Sequence, residues 1–146
     1  MSPGFKKTKY GLFLCLAAFL FFRAQALALD KKASSAISAY IMAVFQEDLG
    51  DIDGAILEYK KALKIERDAA VIHLNLASSY IKKNDLPKAI EELNIAASLD
   101  PEAVEPHAIL ALVYSSQNKL DLAASEYEKA LKNASVLQPN NVDIYK

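Results

Sequence analysis

From residue 36 onward, apolar side chains recur at three- and four-residue steps, the spacing of one buried face of an amphipathic helix. In Val71–Lys83 the set is Leu74, Ala77, Tyr80 and Ile81, and in Leu86–Leu99 it is Ile90, Leu93, Ala96 and Ala97. The same spacing predicts helices over Ala36–Leu49, Ile52–Glu66, Val104–Gln117 and Leu120–Leu137, and no stretch reads as a strand. Gly50-Asp51, Asn84-Asp85 and Asn118-Lys119 are the predicted turns. Asp85 is placed to cap the following helix, and Pro87 falls in its first turn, where a missing N–H costs little. Pro101 ends that helix. Leu29–Ser35 reads as a polar lead-in, with Ser34 or Ser35 as the cap of the first helix.

The pattern also repeats. Thirty-four residues separate His73 from His107, Leu76 from Leu110, Ala77 from Ala111, Tyr80 from Tyr114, Ala89 from Ala123 and Ala96 from Ala130. One step back from the middle copy lie Ala43, Gly50, Asp51, Ala55, Tyr59 and Ala62 in the same roles. A fixed period of this size marks a repeat array, in which each unit buries its apolar face only by stacking on its neighbours.

The unit resembles the tetratricopeptide repeat, whose motif is W-x2-L-G-x2-Y, A-x3-F and a closing Pro. The middle copy carries His73-x2-Leu76-Ala77-x2-Tyr80, Ala89-x3-Leu93 and Pro101. The last carries His107-x2-Leu110-Ala111-x2-Tyr114 and Ala123-x3-Tyr127, with Pro139 closing it late. The first copy has Ala39, Met42, Ala43 and Gln46, then Ala55, Tyr59 and Ala62, with Arg67 where the proline belongs. The tryptophan is missing from every copy, and alanine stands for the first glycine. The resemblance implies an all-α, right-handed superhelical solenoid of three helix-turn-helix repeats at 36–69, 70–103 and 104–139. Residues 140–146 would begin a truncated fourth.

Residues 1–28 read differently. A basic start at Lys6, Lys7 and Lys9 precedes the apolar run Tyr10–Phe22, followed by small-x-small sites at Ala24-Gln25-Ala26 and Ala26-Leu27-Ala28. This order is that of a secretory signal peptide. The alternative is an uncleaved anchor in an inner membrane, although the run is shorter than the roughly 20 residues a spanning helix needs. The expected destination is the periplasm or the exterior.

Export changes the chemistry left behind. The 17 basic residues fall to 13 against 18 acidic ones, a net charge near −5, and the single cysteine, Cys15, goes as well. An acidic domain offers little to a phosphate backbone, so nucleic acid is not an expected partner. His73 and His107 stand in the tryptophan slot and are read as inter-helix packing residues, not as metal ligands. Glu47-Asp48, Glu91-Glu92 and Glu126/Glu128 are read as solvated surface, and the serines have no His–Asp arrangement around them. Asn133-Ala134-Ser135 matches a glycosylation acceptor inside a predicted helix. No catalytic residue, cofactor or metal is expected.

The family binds partners on the concave face lined by the first helix of each repeat. The register of the repeats places Ile37, Tyr40, Val44, Val71, Leu74, Asn75, Ser78, Ile81, Lys82, Ala108, Leu112 and Ser115 on or beside it. Members that clamp a peptide carboxylate carry lysine, arginine and asparagine at positions held here by Tyr40, Val44, Glu105 and Ile109. The resemblance therefore implies an exported, non-enzymatic scaffold whose groove takes an apolar helical or extended segment of another protein. Some groove residues could instead pack against neighbouring helices. Two further expectations stay open: an N-terminal part of a longer array, or an envelope assembly factor that self-associates through its uncapped last helix. An enzyme accessory role would need a polar constellation that the chain does not show.

Overall fold

The computed structural model describes residues 31–137 and Arg23. Apart from Arg23, the expected signal segment and residues 140–146 lie outside the described residues. Among the described residues six helices follow one another: α1, described from residue 31 to residue 48, α2 (Ile52–Ile65), α3 (Ala70–Lys82), α4 (Leu86–Leu99), α5 (Glu105–Ser116) and α6 (Leu120–Leu137). The described residues are all-α, and the helices pack as consecutive antiparallel-type pairs stacked in chain order, with α3 against both α2 and α4 and α5 against both α4 and α6.

Five helix positions agree with the periodicity to within a residue at each end. The first does not: residues 31–35, expected as a polar lead-in, are already helical. Ser34 therefore does not cap α1; its carbonyl accepts from Ser38 Oγ at 2.8 Å inside the helix. Lys31, Lys32 and Ala33 have good helix propensity, so nothing in that stretch forces a start at Ala36.

Each pair turns on a residue in the left-handed region: Gly50 (φ 81°), Asn84 (φ 60°) and Asn118 (φ 58°), spaced by the repeat. Glycine reaches this region freely, and asparagine is the side chain that tolerates it best. The next residue caps the second helix in two of the three turns. Asp51 accepts from the Gly54 amide at 3.0 Å, and Asp85 accepts from the Lys88 amide at 3.4 Å. Lys119 holds that place in the third turn and cannot accept.

The core is a ladder of small and large positions set by the repeat. Ala43, Ala55, Ala77 and Ala89 are fully buried, so the paired helices meet backbone to backbone at these points. Tyr59, Leu76, Leu93 and Leu110 fill the spaces between pairs and are the large side chains most completely removed from water. Full burial of such a side chain contributes about 1.5–3 kcal/mol. Two apolar clusters result, one joining α1 to α4 and centred on Tyr59 and Leu76, the other around Ala77, Leu93 and Leu110.

Candidate partner-binding groove

Two clefts open at equivalent places in successive repeats. The larger, of about 790 Å³, lies between residues 32–40 of α1 and the α2–α3 joint, and includes Ala36, Ile37, Tyr40, Ala69, Val71 and Ile72. The smaller, of about 260 Å³, is lined by Ala70, Val71, Leu74, Ala103, Glu105 and Pro106. Stepping each of Ala36, Ile37, Tyr40, Ala69, Val71 and Ile72 on by 34 residues gives that second set, in order. Val71 belongs to both. The charged rims differ: Lys32, Lys64, Glu66, Arg67 and Asp68 border the first cleft, and Asp100 and Glu105 the second.

The expected groove residues do not all lie in the clefts. Ile37, Tyr40, Val71 and Leu74 line the clefts, with Ile37 and Val71 well exposed. Val44 and Ile81 pack half-buried against the larger core cluster. Asn75 and Lys82 are engaged within the fold: Asn75 Nδ2 donates to the Tyr40 hydroxyl at 2.9 Å, and Lys82 Nζ pairs with Glu47 at 3.0 Å. Ser78 is half-buried, its Oγ donating to the Leu74 carbonyl at 3.2 Å. Farther along, Ala108 is half-buried while Leu112 and Ser115 are exposed. The joint residues Lys64 to Ala69 were missed from sequence, yet they are the repeat equivalents of the segment ending at Ala103. Comparing the two joints would have found them.

Three carboxylates read as solvated surface are structural. Glu47 on α1 accepts from Tyr59 Oη on α2 at 3.1 Å, and from Ser79 Oγ and Lys82 Nζ on α3, both at 3.0 Å. It ties three helices together. Burial first, then the charge and hydrogen bond of Glu47, push the Tyr59 phenol well above its ordinary range. Glu92 and Glu126 each accept from a histidine 19 residues earlier, at 2.6 Å from His73 Nδ1 and 2.7 Å from His107 Nδ1. His73 Nε2 also faces the Arg67 carbonyl at 3.0 Å. Both ring nitrogens of His73 thus lie within hydrogen-bond distance of oxygens of the fold. The histidines do pack between helices as expected, but as polar links. Burial alone would raise the Glu126 carboxyl; hydrogen bonds from Lys129 and His107, with their charge, outweigh it and hold it below its ordinary value.

Among the described residues, no three His, Cys, Asp or Glu side chains converge as a metal site, and no helix is long and apolar enough to cross a membrane. What the arrangement offers is a shallow apolar surface with two depressions at repeat spacing.

Stacked helix pairs with a 34-residue period define a helical-repeat protein. Two tetratricopeptide-repeat family models match the chain, over residues 46–113 and 104–135, and the chain is a tetratricopeptide-repeat protein. Among solved structures it is similar to MamA, with a TM-score of 0.71 and 21% identity over 73% of this chain and 63% of that one. It is also similar to the first repeat domain of Spaghetti (RPAP3) bound to an HSP90 peptide, with a TM-score of 0.66 and 23% identity over 75% of this chain and 84% of that one. Among curated proteins, the type IV pilus assembly protein PilF of Pseudomonas aeruginosa is 35% identical over 75 residues, 49% of this chain and 29% of that protein. PHOX1 of Arabidopsis thaliana is 31% identical over 98 residues, 63% of this chain. The chain spans only 13% of PHOX1.

Proposed function

We propose that this protein is an exported interaction module that docks an apolar segment of another protein in the groove formed by α1, α3 and α5. The observation that carries the reading is the pair of repeat-related clefts, separated by the exposed side chain of Val71. Apolar depressions at a fixed spacing suit the alternate side chains of an extended segment or the stripe of a helix. The only amide and ammonium that sequence placed there for a charged ligand, Asn75 and Lys82, already have partners in the fold. Peptide capture by the similar RPAP3 domain supports a docking role, and the resemblance to a pilus assembly protein supports a place in envelope assembly.

A dye-labelled peptide library screened on the purified protein tests this. Apolar peptides are expected to bind with little dependence on salt, because screening acts on charge and not on buried apolar area. Val71→Glu should weaken binding more than tenfold (a loss above ~1.4 kcal/mol), whereas Glu91→Ala on the far side of α4 should leave it unchanged. Selection of acidic peptides whose affinity collapses at moderate salt would replace this reading with an electrostatic one. Export has its own support in the order of charge, apolar run and small residues over Lys6–Ala28. Intact mass of the exported protein should show a start at residue 27 or 29; a species beginning at Met1 or Ser2 in the membrane would establish an anchor instead.

A further inference from the structure

Every first helix of a repeat has two neighbours to satisfy, its own second helix and the second helix of the repeat before it. α3 and α5 meet the earlier pair through Leu76 and Ser79, and through Leu110 and Val113, all buried. The same positions of α1, one step back, are Met42 and Phe45, which are 47% and 57% exposed, with Leu49 beyond them at 69%. At the other end the mirror situation holds. Tyr59 of α2 and Leu93 of α4 are fully buried under the next first helix, but their equivalent on α6, Tyr127, is 56% exposed, flanked by Leu120 and Leu131, 63% and 60% exposed. The described residues therefore carry, on their first and last helices, the two halves of a junction that they already make twice internally.

We infer that α1 of one copy docks on α6 of another, continuing the repeat stack head to tail. This goes beyond groove binding and does not depend on it. The second internal junction says what belongs on α6: a first helix with apolar side chains at the positions of Leu110 and Val113, which is what Met42 and Phe45 supply. The internal junctions also give the register. Asn75 lies against Tyr40 in the first junction, so Ile41 of the arriving copy falls against Ala108. Lys83 pairs with Asp53, so Leu49 falls opposite Asp121; Lys60 sits over Tyr80, so Gln46 falls opposite Glu128. Lys82 pairs with Glu47, so Asp48 falls opposite Ser115. No like charges are brought together at any of these points. The contact is heterologous, using different surfaces on the two copies, so it leaves both ends of a dimer free and propagates.

Sedimentation velocity of the full chain in detergent, across a concentration series, tests this with Phe45→Asp and Tyr127→Asp. The parent is expected to pass beyond dimers as concentration rises. Each variant alone should sediment as a monomer with unchanged far-ultraviolet circular dichroism, since both side chains are exposed. Mixed in equal amounts, the two should form dimers and stop there, because only α1 of the Tyr127→Asp copy and α6 of the Phe45→Asp copy remain competent. If either substitution costs helicity, Leu49→Glu and Leu131→Glu form the replacement pair with the same expected outcome. A parent that stays monomeric at every concentration overturns the inference. So does a variant that still dimerises alone, which would mean like-to-like docking, and so does assembly that survives in both variants, which would assign it to the apolar N-terminal run.

Discussion

At the scale of single residues, the side chains that hold the helices in register are polar, and this is where sequence reading went furthest astray. Glu47, Glu92 and Glu126 look like solvent-facing acids because their partners lie 12 to 35 residues away. A signal existed: Glu58, Glu92 and Glu126 recur at the repeat interval, and His73 and His107 keep the same step. In the first repeat Ala39 replaces histidine, and Glu58 turns to Lys61 on its own helix instead. Removing Glu47 leaves the Tyr59 phenol without its acceptor and the buried Ser79 hydroxyl with only the Asn75 carbonyl, at 3.3 Å. Glu47→Ala should therefore cost about 1–3 kcal/mol in chemical denaturation, more than an exposed acid such as Glu91. Glu126 adds a pH dependence. Its carboxyl is held below the ordinary value of 4.5, so the stabilisation is present above that value and is lost as pH falls through the folded one. Melting curves should show Glu126→Gln below the parent at pH 7, with the gap closing as pH falls below 4.5.

At the scale of elements, the 3.6-residue period placed the helices, and the Asp-after-turn pattern placed one cap, while a second, Asp51, came from the repeat. The periodicity could not show the conformation of the turn residue, although three small or amide residues at 50, 84 and 118 satisfy one requirement, a positive φ. The helical state of residues 31–35 was invisible because Lys, Ala and Ser are equally at home in a lead-in and in a helical turn. The turn makes an unusual substitution order testable. Asn84→Gly should be neutral or slightly favourable in thermal melts, whereas Asn84→Ala should lose about 1 kcal/mol, opposite to the ranking inside a helix. Asp85→Ala should lose a similar amount, about 1 kcal/mol, through the missing cap.

At the scale of the whole molecule, stability is shared between neighbours and falls toward the ends. α3 and α4 have a pair on each side, while α6 turns Leu122, Tyr127 and Leu131 to water. In native-state hydrogen exchange the amides of α3 and α4 should be the last to exchange and those of α6 should go earlier. The array was legible from sequence because a period of 34 residues repeated core positions in full view. The groove was legible only in part. Sequence put Val44 and Ile81 on the same face as Ile37 and Val71, but a helix in a stack has only a narrow free strip, and Val44 and Ile81 lie on the side that meets its neighbours.

Val71 stands between the two clefts and forms a wall of each. A side chain seated on one side of it sets the shape of the space on the other, so the positions of a docked segment are not judged independently. Preference at one position then changes with the residue at the next, and substitutions in the segment combine non-additively across this one shared boundary. The alphabet of such a groove is the pair, not the letter.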